Sequence, residues 1–116
     1  MKESCIMATF EDFTALDLRV GTVLDAQELP KARVPAIKMN IDFGEEIGIK
    51  QSSAQITKRY TPEVMVGKQV VAIVNFPPRR VAGFKSEVLV IGGVPGEGDV
   101  ILLTPDQHVP NGTKIH

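Results

Sequence analysis

Aromatic side chains are scarce: they make up 5% of the sequence, and Tyr60 is the only tyrosine. Stacking base after base along a single strand needs a row of rings, so that mode of nucleic-acid binding has little support here. Cysteine occurs once, at Cys5, in a terminal segment expected to be frayed. One thiol excludes an internal disulfide framework and fits the reducing cytoplasm. Together with His108 and His116 it cannot close a zinc site within one chain, so neither a metal nor a cofactor is expected. No run approaches the roughly eighteen apolar residues of a membrane span. The opening MKESCIMATF has neither the apolar core nor the small-residue cleavage site of a signal peptide. The formal net charge is −1, which excludes a uniformly basic nucleic-acid coat protein. Any anion site must come from local clustering.

Catalytic constellations are missing too. No Ser–His–acid or Cys–His set can be named, and Cys5 has only Lys2 as basic company. The adjacent acids Glu11-Asp12 and Glu45-Glu46 fit a helix start and a solvated turn better than an acid/base couple. Gly96-Glu97-Gly98 lacks the lysine and downstream glycine of a phosphate loop and reads as a hairpin turn. The expectation is a binding protein, not an enzyme.

What is present is ordinary for one globular domain: 116 residues, 43% hydrophobic and 23% charged. Residues 1–8 are expected to be a flexible N-terminal segment and residues 9–116 the folded domain. Thr9 is a candidate helix N-cap with Glu11 and Asp12 in the first turn, and Phe10, Phe13 and Leu16 form an apolar stripe. Residues 18–26 predict a strand with Leu18, Val20, Leu24 and Ala26 on one face, Arg19 and Asp25 on the other, and a bulge or bend at Gly21. Residues 37–43 alternate without a fault, placing Lys38, Asn40 and Asp42 outward. After a turn at 44–46, residues 47–51 predict a third strand. Ser52 or Ser53 then caps a helix carrying Ile56 and Tyr60, which restarts or kinks at Pro62 and ends at Gly67. Residues 68–74 and 87–92 predict two further strands, and residues 100–103 and 114–115 short ones. Five antiparallel strands with a helix between the third and fourth predict an all-β, five-stranded OB-fold barrel with short terminal extensions. Residues 70–74 and 88–91 are apolar on both faces, which asks for a cover on the outer face. Terminal elements can supply some of it and a second copy more, so a homodimer is expected.

The densest positive charge lies in Asn75-Phe76-Pro77-Pro78-Arg79-Arg80-Val81-Ala82-Gly83-Phe84-Lys85-Ser86. Two prolines remove backbone donors, so the stretch predicts a stiff loop outside regular sheet. Arg79 and Arg80 offer planar forks that suit phosphate, and Lys85 adds a point charge. Asn75 at a strand end suits a base edge or sugar hydroxyl. Ser52 and Ser53 suit phosphate at a helix start, or simple capping. Lys31, Arg33 and Lys38 extend the basic track or are ordinary surface. The bland alternative for the whole stretch is a solvated turn.

Asn75, Pro78, Arg79, Gly83 and Ser86 form an Asn-x-x-Pro-Arg-x-x-x-Gly-x-x-Ser pattern. It resembles the signature of the tRNA-binding OB-domain family, domains found as the C-terminal appendage of methionyl-tRNA synthetase and as stand-alone dimers. The strings NFPPRRVAGFKSEVLVIG and ARVPAIKMNIDFG are similar to the small stand-alone branch with an export-related chaperone role. The likeness runs from about Phe10 to the C-terminus. It implies tRNA as partner and homodimerisation, and its motif covers Asn75, Arg79 and Ser86; with Arg80, Lys85, Ser52, Ser53, Lys38 and Arg33 from the charge and position reading, these are the candidate tRNA-binding residues. It also carries a second partner class, unfolded or preprotein peptides held in an apolar groove. A subunit-interaction domain without an RNA role is the third reading. Two departures set this chain apart from the synthetase appendages. Ser86 is followed by Glu87-Val88-Leu89 where those continue with x-Gly-Met, and residues 28–33 replace their His-Pro-x-Ala-acid pattern.

Overall fold

The computed structural model describes residues 6–116; the readings made of Cys5 and Lys2 lie outside the described residues. A short helix α1 (Phe10–Thr14) opens the described chain, fastened by a reciprocal cap in which Asp12 N donates to Thr9 Oγ1 and Thr9 N donates to Asp12 Oδ2. Of the expected stripe only Leu16 packs on the chain's own core. Phe10 is 71% exposed and Phe13 38%.

Five antiparallel strands follow in the sheet order β3-β2-β1-β4-β7. They are β1 (Leu18–Glu28), β2 (Ile37–Asp42), β3 (Ile49–Ala54), β4 (Gln69–Ile73) and β7 (Leu89–Val90). Two two-stranded ribbons complete the set: β5 (Arg79–Val81) with β6 (Phe84–Ser86), and β8 (Gly92–Gly96) with β9 (Asp99–Leu102). Helices α2 (Gly44–Ile47) and α3 (Pro62–Met65) are single turns. The sheet curls until its ends meet. Glu87 N donates to Gln51 O at 2.8 Å, and Ser52 Oγ donates to Val88 O at 3.0 Å. This nearly closed five-stranded barrel is the OB-type architecture expected.

The long strand β1 makes the corner. Its first half pairs with β4 and its second half with β2, and the register breaks between Val23 and Asp25. The bulge therefore sits at Leu24, three residues beyond the expected place, and it reverses the alternation. Val23 before it and Ala26 after it both pack on the main core, although Ala26 was expected on the face of Leu18 and Val20, and Leu24 is 44% exposed. Gly21 serves closeness instead of bending, for a Cβ there would lie 2.7 Å from both Ile41 Cγ2 and the Phe43 ring.

The main core gathers Val23, Ile37, Met39, Ile41, Phe43, Ile56, Met65, Val70, Ala72 and Val88. The faultless alternation of β2 is realised, with Ile37, Met39, Ile41 and Phe43 at 0–1% exposure. Each such side chain contributes about 1.5–3 kcal/mol relative to leaving it in water. A second cluster on the opposite face holds Leu18, Val20, Val71 and Ile73, with Leu16, Ile91, Val109 and Ile115 packed on it. The two-sided apolarity of β4 is thus covered by the chain itself. The C-terminal segment lies along β1, with Gly112 N donating to Val20 O, Val20 N to Thr113 O and Ile115 N to Leu18 O.

Two expectations fail locally. The helix starting at Ser52 or Ser53 is absent because β3 runs on to Ala54 in register with β2, where Ser52 faces Met39 and Ser53 faces Lys38. Strand pairing satisfies those backbone groups, so no cap is needed. Only one turn follows, with Tyr60 N donating to Ile56 O, and α3 starts separately behind Thr61, whose Oγ1 accepts from Val64 N. The stretch after Pro78 was expected to be irregular. Instead it is a hairpin whose two-residue turn places both Ala82 (φ 51°) and Gly83 (φ 81°) in the left-handed region.

Candidate nucleic-acid interface

The β5–β6 hairpin pairs Arg79 with Ser86, Arg80 with Lys85 and Val81 with Phe84. Alternation along a strand then sorts the cations onto different faces. Arg79, Val81, Phe84 and Ser86 look inward toward the barrel, and Arg80 and Lys85 look outward. Arg80 and Lys85 stand directly across from one another, with Cβ atoms roughly 5 Å apart, and like charges so placed repel. Among the described residues Arg80 donates to Gly83 O alone, through Nη1 at 3.3 Å. Among the described residues the ion pairs are Arg19–Asp17, Arg19–Glu46 and Arg59–Asp99. Arg33, Lys38, Arg79, Arg80 and Lys85 therefore keep their charge without a carboxylate partner from these residues.

The inner face of the hairpin is pinned. Ser86, 7% exposed, accepts from Ser53 N at 3.0 Å and donates to Val88 O, and Gln51 Nε2 donates to Lys85 O at 2.8 Å. Ser52 is fully buried. Ser86 thus joins the hairpin to β3 and Ser52 joins β3 to Val88 just before β7, and neither offers a free hydroxyl at the surface. Asn75 is committed as well. Its Oδ1 accepts from Asp17 N and its Nδ2 donates to Ala15 O, both at 2.9 Å, so it fixes where the hairpin leaves the barrel. Ser53 stays half-buried beside Arg79.

Around this joint lie three clefts. One of about 350 Å³ separates Val81, the last residue of β5, and Ala82 of the turn from Lys31 and Arg33 in the loop joining β1 to β2. A second, of about 200 Å³, is mainly apolar, with Phe76, Pro77, Val88 and Leu89 beside Arg79. The third, about 190 Å³, lies over the outer face of the sheet between Phe84 and β2, where the Lys38 ammonium sits 5.9 Å from the Phe84 ring centroid. Arg33 and Lys38 thus line clefts that the hairpin borders, while Arg80 and Lys85 stand on its outward face, on a chain of almost zero net charge. Asn75 and Ser86 hold the hairpin in place.

Sequence reasoning missed the sorting of the two arginines. The signal was present, since Arg-Arg-Val and Phe-Lys-Ser are two short strand-like runs around a two-residue turn ending in glycine. It also missed Gln69, whose Nε2 donates to Val109 O and whose Oε1 accepts from Val109 N. That side chain imitates a strand and docks the C-terminal segment, a role no local pattern announces.

The geometry can be set beside known proteins. A crystal structure of chaperone CsaA from Bacillus anthracis matches with a TM-score of 0.91 and 68% identity, over 96% of this chain and 100% of that one. The CsaA chaperone protein of Picrophilus torridus matches with a TM-score of 0.87 and 44% identity, over 95% of this chain and 100% of that one. The methionine–tRNA ligase of Methanococcoides burtonii is 36% identical over 110 residues, which is 95% of this chain and 16% of that protein. The chain spans about one-sixth of the length of such synthetase relatives, and the shared part is the barrel described above. With the family's sequence model matching residues 18–114, the chain belongs to the putative tRNA binding domain family.

Proposed function

We propose that this protein binds tRNA as a homodimer, gripping phosphates with the outward cations of the β5–β6 hairpin. The observation that carries the reading is the Arg80–Lys85 pair: two like charges held opposite each other at a cost, relieved when an anion enters between them. Arg33 and Lys38 extend the grip, while Arg79 serves the inner cleft. Selectivity comes from the shape of a structured RNA and not from a long base readout. The protein has no catalytic role, and a reducing cytoplasm is its expected setting. Homodimerisation draws support from the apolar N-terminal surface, where Ile6, Met7 and Phe10 are more than two-thirds exposed.

The test is the double variant Arg80→Ala/Lys85→Ala, with tRNA affinity measured across a salt series. Losing two exposed phosphate contacts of about 1 kcal/mol each weakens binding about thirtyfold per hairpin engaged. The slope of log affinity against log salt falls by about 0.7–0.9 per lost contact. Thermal stability stays within about 0.5 kcal/mol, because both residues are on the surface. Unchanged affinity and slope in the folded variant would refute the phosphate grip.

A second reading is capture of unfolded or preprotein peptides in an export-related role. The mainly apolar cleft formed by Phe76, Pro77, Val88 and Leu89 favours it, and two similar structures bear the name chaperone. Peptide capture there depends little on salt, in contrast to tRNA binding.

A further inference from the structure

One cleft is at odds with a phosphate track. On the outer face of the sheet, Asp25, Asn40 and Gln51 stand side by side across β1, β2 and β3, each in register with the next. Asn40 Nδ2 donates to both oxygens of Asp25, at 3.0 and 3.2 Å. Only the amide nitrogen can donate to a carboxylate, so this bond fixes the amide orientation and turns Asn40 Oδ1 away from Asp25. Gln51 Nε2 is likewise committed, to Lys85 O, which leaves its Oε1 as the free end. Among the described residues nothing donates to Asn40 Oδ1 or Gln51 Oε1. The Asp25 carboxylate keeps further lone pairs beyond those Asn40 uses. The floor of this cleft of about 190 Å³ is therefore a row of acceptors. Phe84 walls one side, and Lys38 and Gln27 close the rim.

A phosphate is repelled by that floor, since it brings negative charge to a carboxylate and three more acceptors to a row of acceptors. The cleft is also smaller than sites for drug-sized ligands. What fits is flat, able to stack on Phe84, and able to aim an exocyclic amine at the Asp25 carboxylate. We propose that the cleft holds one unpaired nucleobase bearing an exocyclic amine, so that cytosine, adenine or guanine is accepted and uracil disfavoured. Cytosine presents its N4 amine to Asp25, whereas uracil presents a carbonyl oxygen at the same place. Stacking on Phe84 is indifferent to base identity, so the acceptor row supplies the choice. The Lys38 ammonium, at the rim, is positioned for the phosphate that follows the base. This proposal rests on the tRNA-binding reading and adds a base contact to it.

Cytidine and uridine monophosphates share sugar and phosphate and differ at the base edge, which makes them the probes. The full chain, isotope-labelled, is titrated with each and followed by NMR. Cytidine monophosphate should shift the Asn40 side-chain amide and the Phe84 ring, and bind about fivefold or more tightly than uridine monophosphate. In Asp25→Asn that preference should disappear, while in Phe84→Leu both nucleotides weaken together and the preference stays. Equal affinities, or a silent Asn40 amide, overturn the base site. Signals of Arg80 and Lys85 separate the two ideas. If they move equally with both nucleotides while Asn40 stays silent, the phosphate grip stands and the base site falls. If Asn40 responds to cytidine monophosphate and the hairpin does not, the base site stands and the hairpin reading fails.

Discussion

Asp99 opens β9 with its side chain mostly buried, and the Arg59 guanidinium reaches it from the turn before α3. Arg59 Nη2 donates to Asp99 Oδ2 at 2.9 Å and Arg59 Nε donates to Asp99 Oδ1. This two-point hydrogen bond to the ionised form holds the Asp99 carboxyl below the usual aspartate range, and it raises Arg59 in turn. A lowered folded pKa contributes stability that is present above the ordinary value. That contribution is lost as pH falls through the folded value. Urea unfolding of Asp99→Asn across pH should therefore show its deficit relative to wild type in full at neutral pH and shrinking in acid. Parallel curves down to the acid limit would mean that the fork adds nothing to pH dependence. At the same scale, Asn75, Ser52 and Ser86 show how residue type alone misleads. Each is a polar side chain in or near the matched motif, yet each spends its hydrogen bonds on the chain.

Among the elements, β2 was legible because its two faces differ, Lys38, Asn40 and Asp42 against Ile37, Met39 and Ile41, and strict alternation leaves one register. The helix expected after Ser52 was not. Serines suit both a cap and a strand, and what decided was Met39 and Lys38 across the sheet, which lie far off in sequence. The bulge at Leu24 was hidden for a similar reason: β1 serves two partners, and the register of each is set elsewhere. In the site, charge density was readable from composition, but the facing of Arg79 and Arg80 depended on recognising a hairpin behind two prolines. Packing between elements makes a sharper prediction at Gly112. There a Cβ would lie 2.5 Å from Phe43 O, and φ is +89°. Gly112→Ala combines a backbone clash with a left-handed conformation and should cost about 2–4 kcal/mol, read as a lower urea midpoint with unchanged slope. A variant of wild-type stability would show that this junction yields freely.

For the molecule as a whole, the exposed N-terminal apolar surface predicts association. Sedimentation equilibrium at micromolar concentration should give twice the chain mass of 12.6 kDa. Phe10→Asp, which adds charge to a 71% exposed ring position, should shift the equilibrium toward the single chain. A wild-type monomer at that concentration would sink the dimer. The second core has a further consequence, for synthesis. Leu18 and Val20 are made early, Val71 and Ile73 midway, and their roof of Val109 and Ile115 comes close to a hundred residues after the first of them. A barrel emerging from the ribosome can close its main core once β9 is out, but an apolar stripe on its back stays wet until the segment beyond Thr104 has cleared the exit tunnel. Contacts of such sequence separation form slowly, and exposed apolar surface is what nascent chains aggregate through.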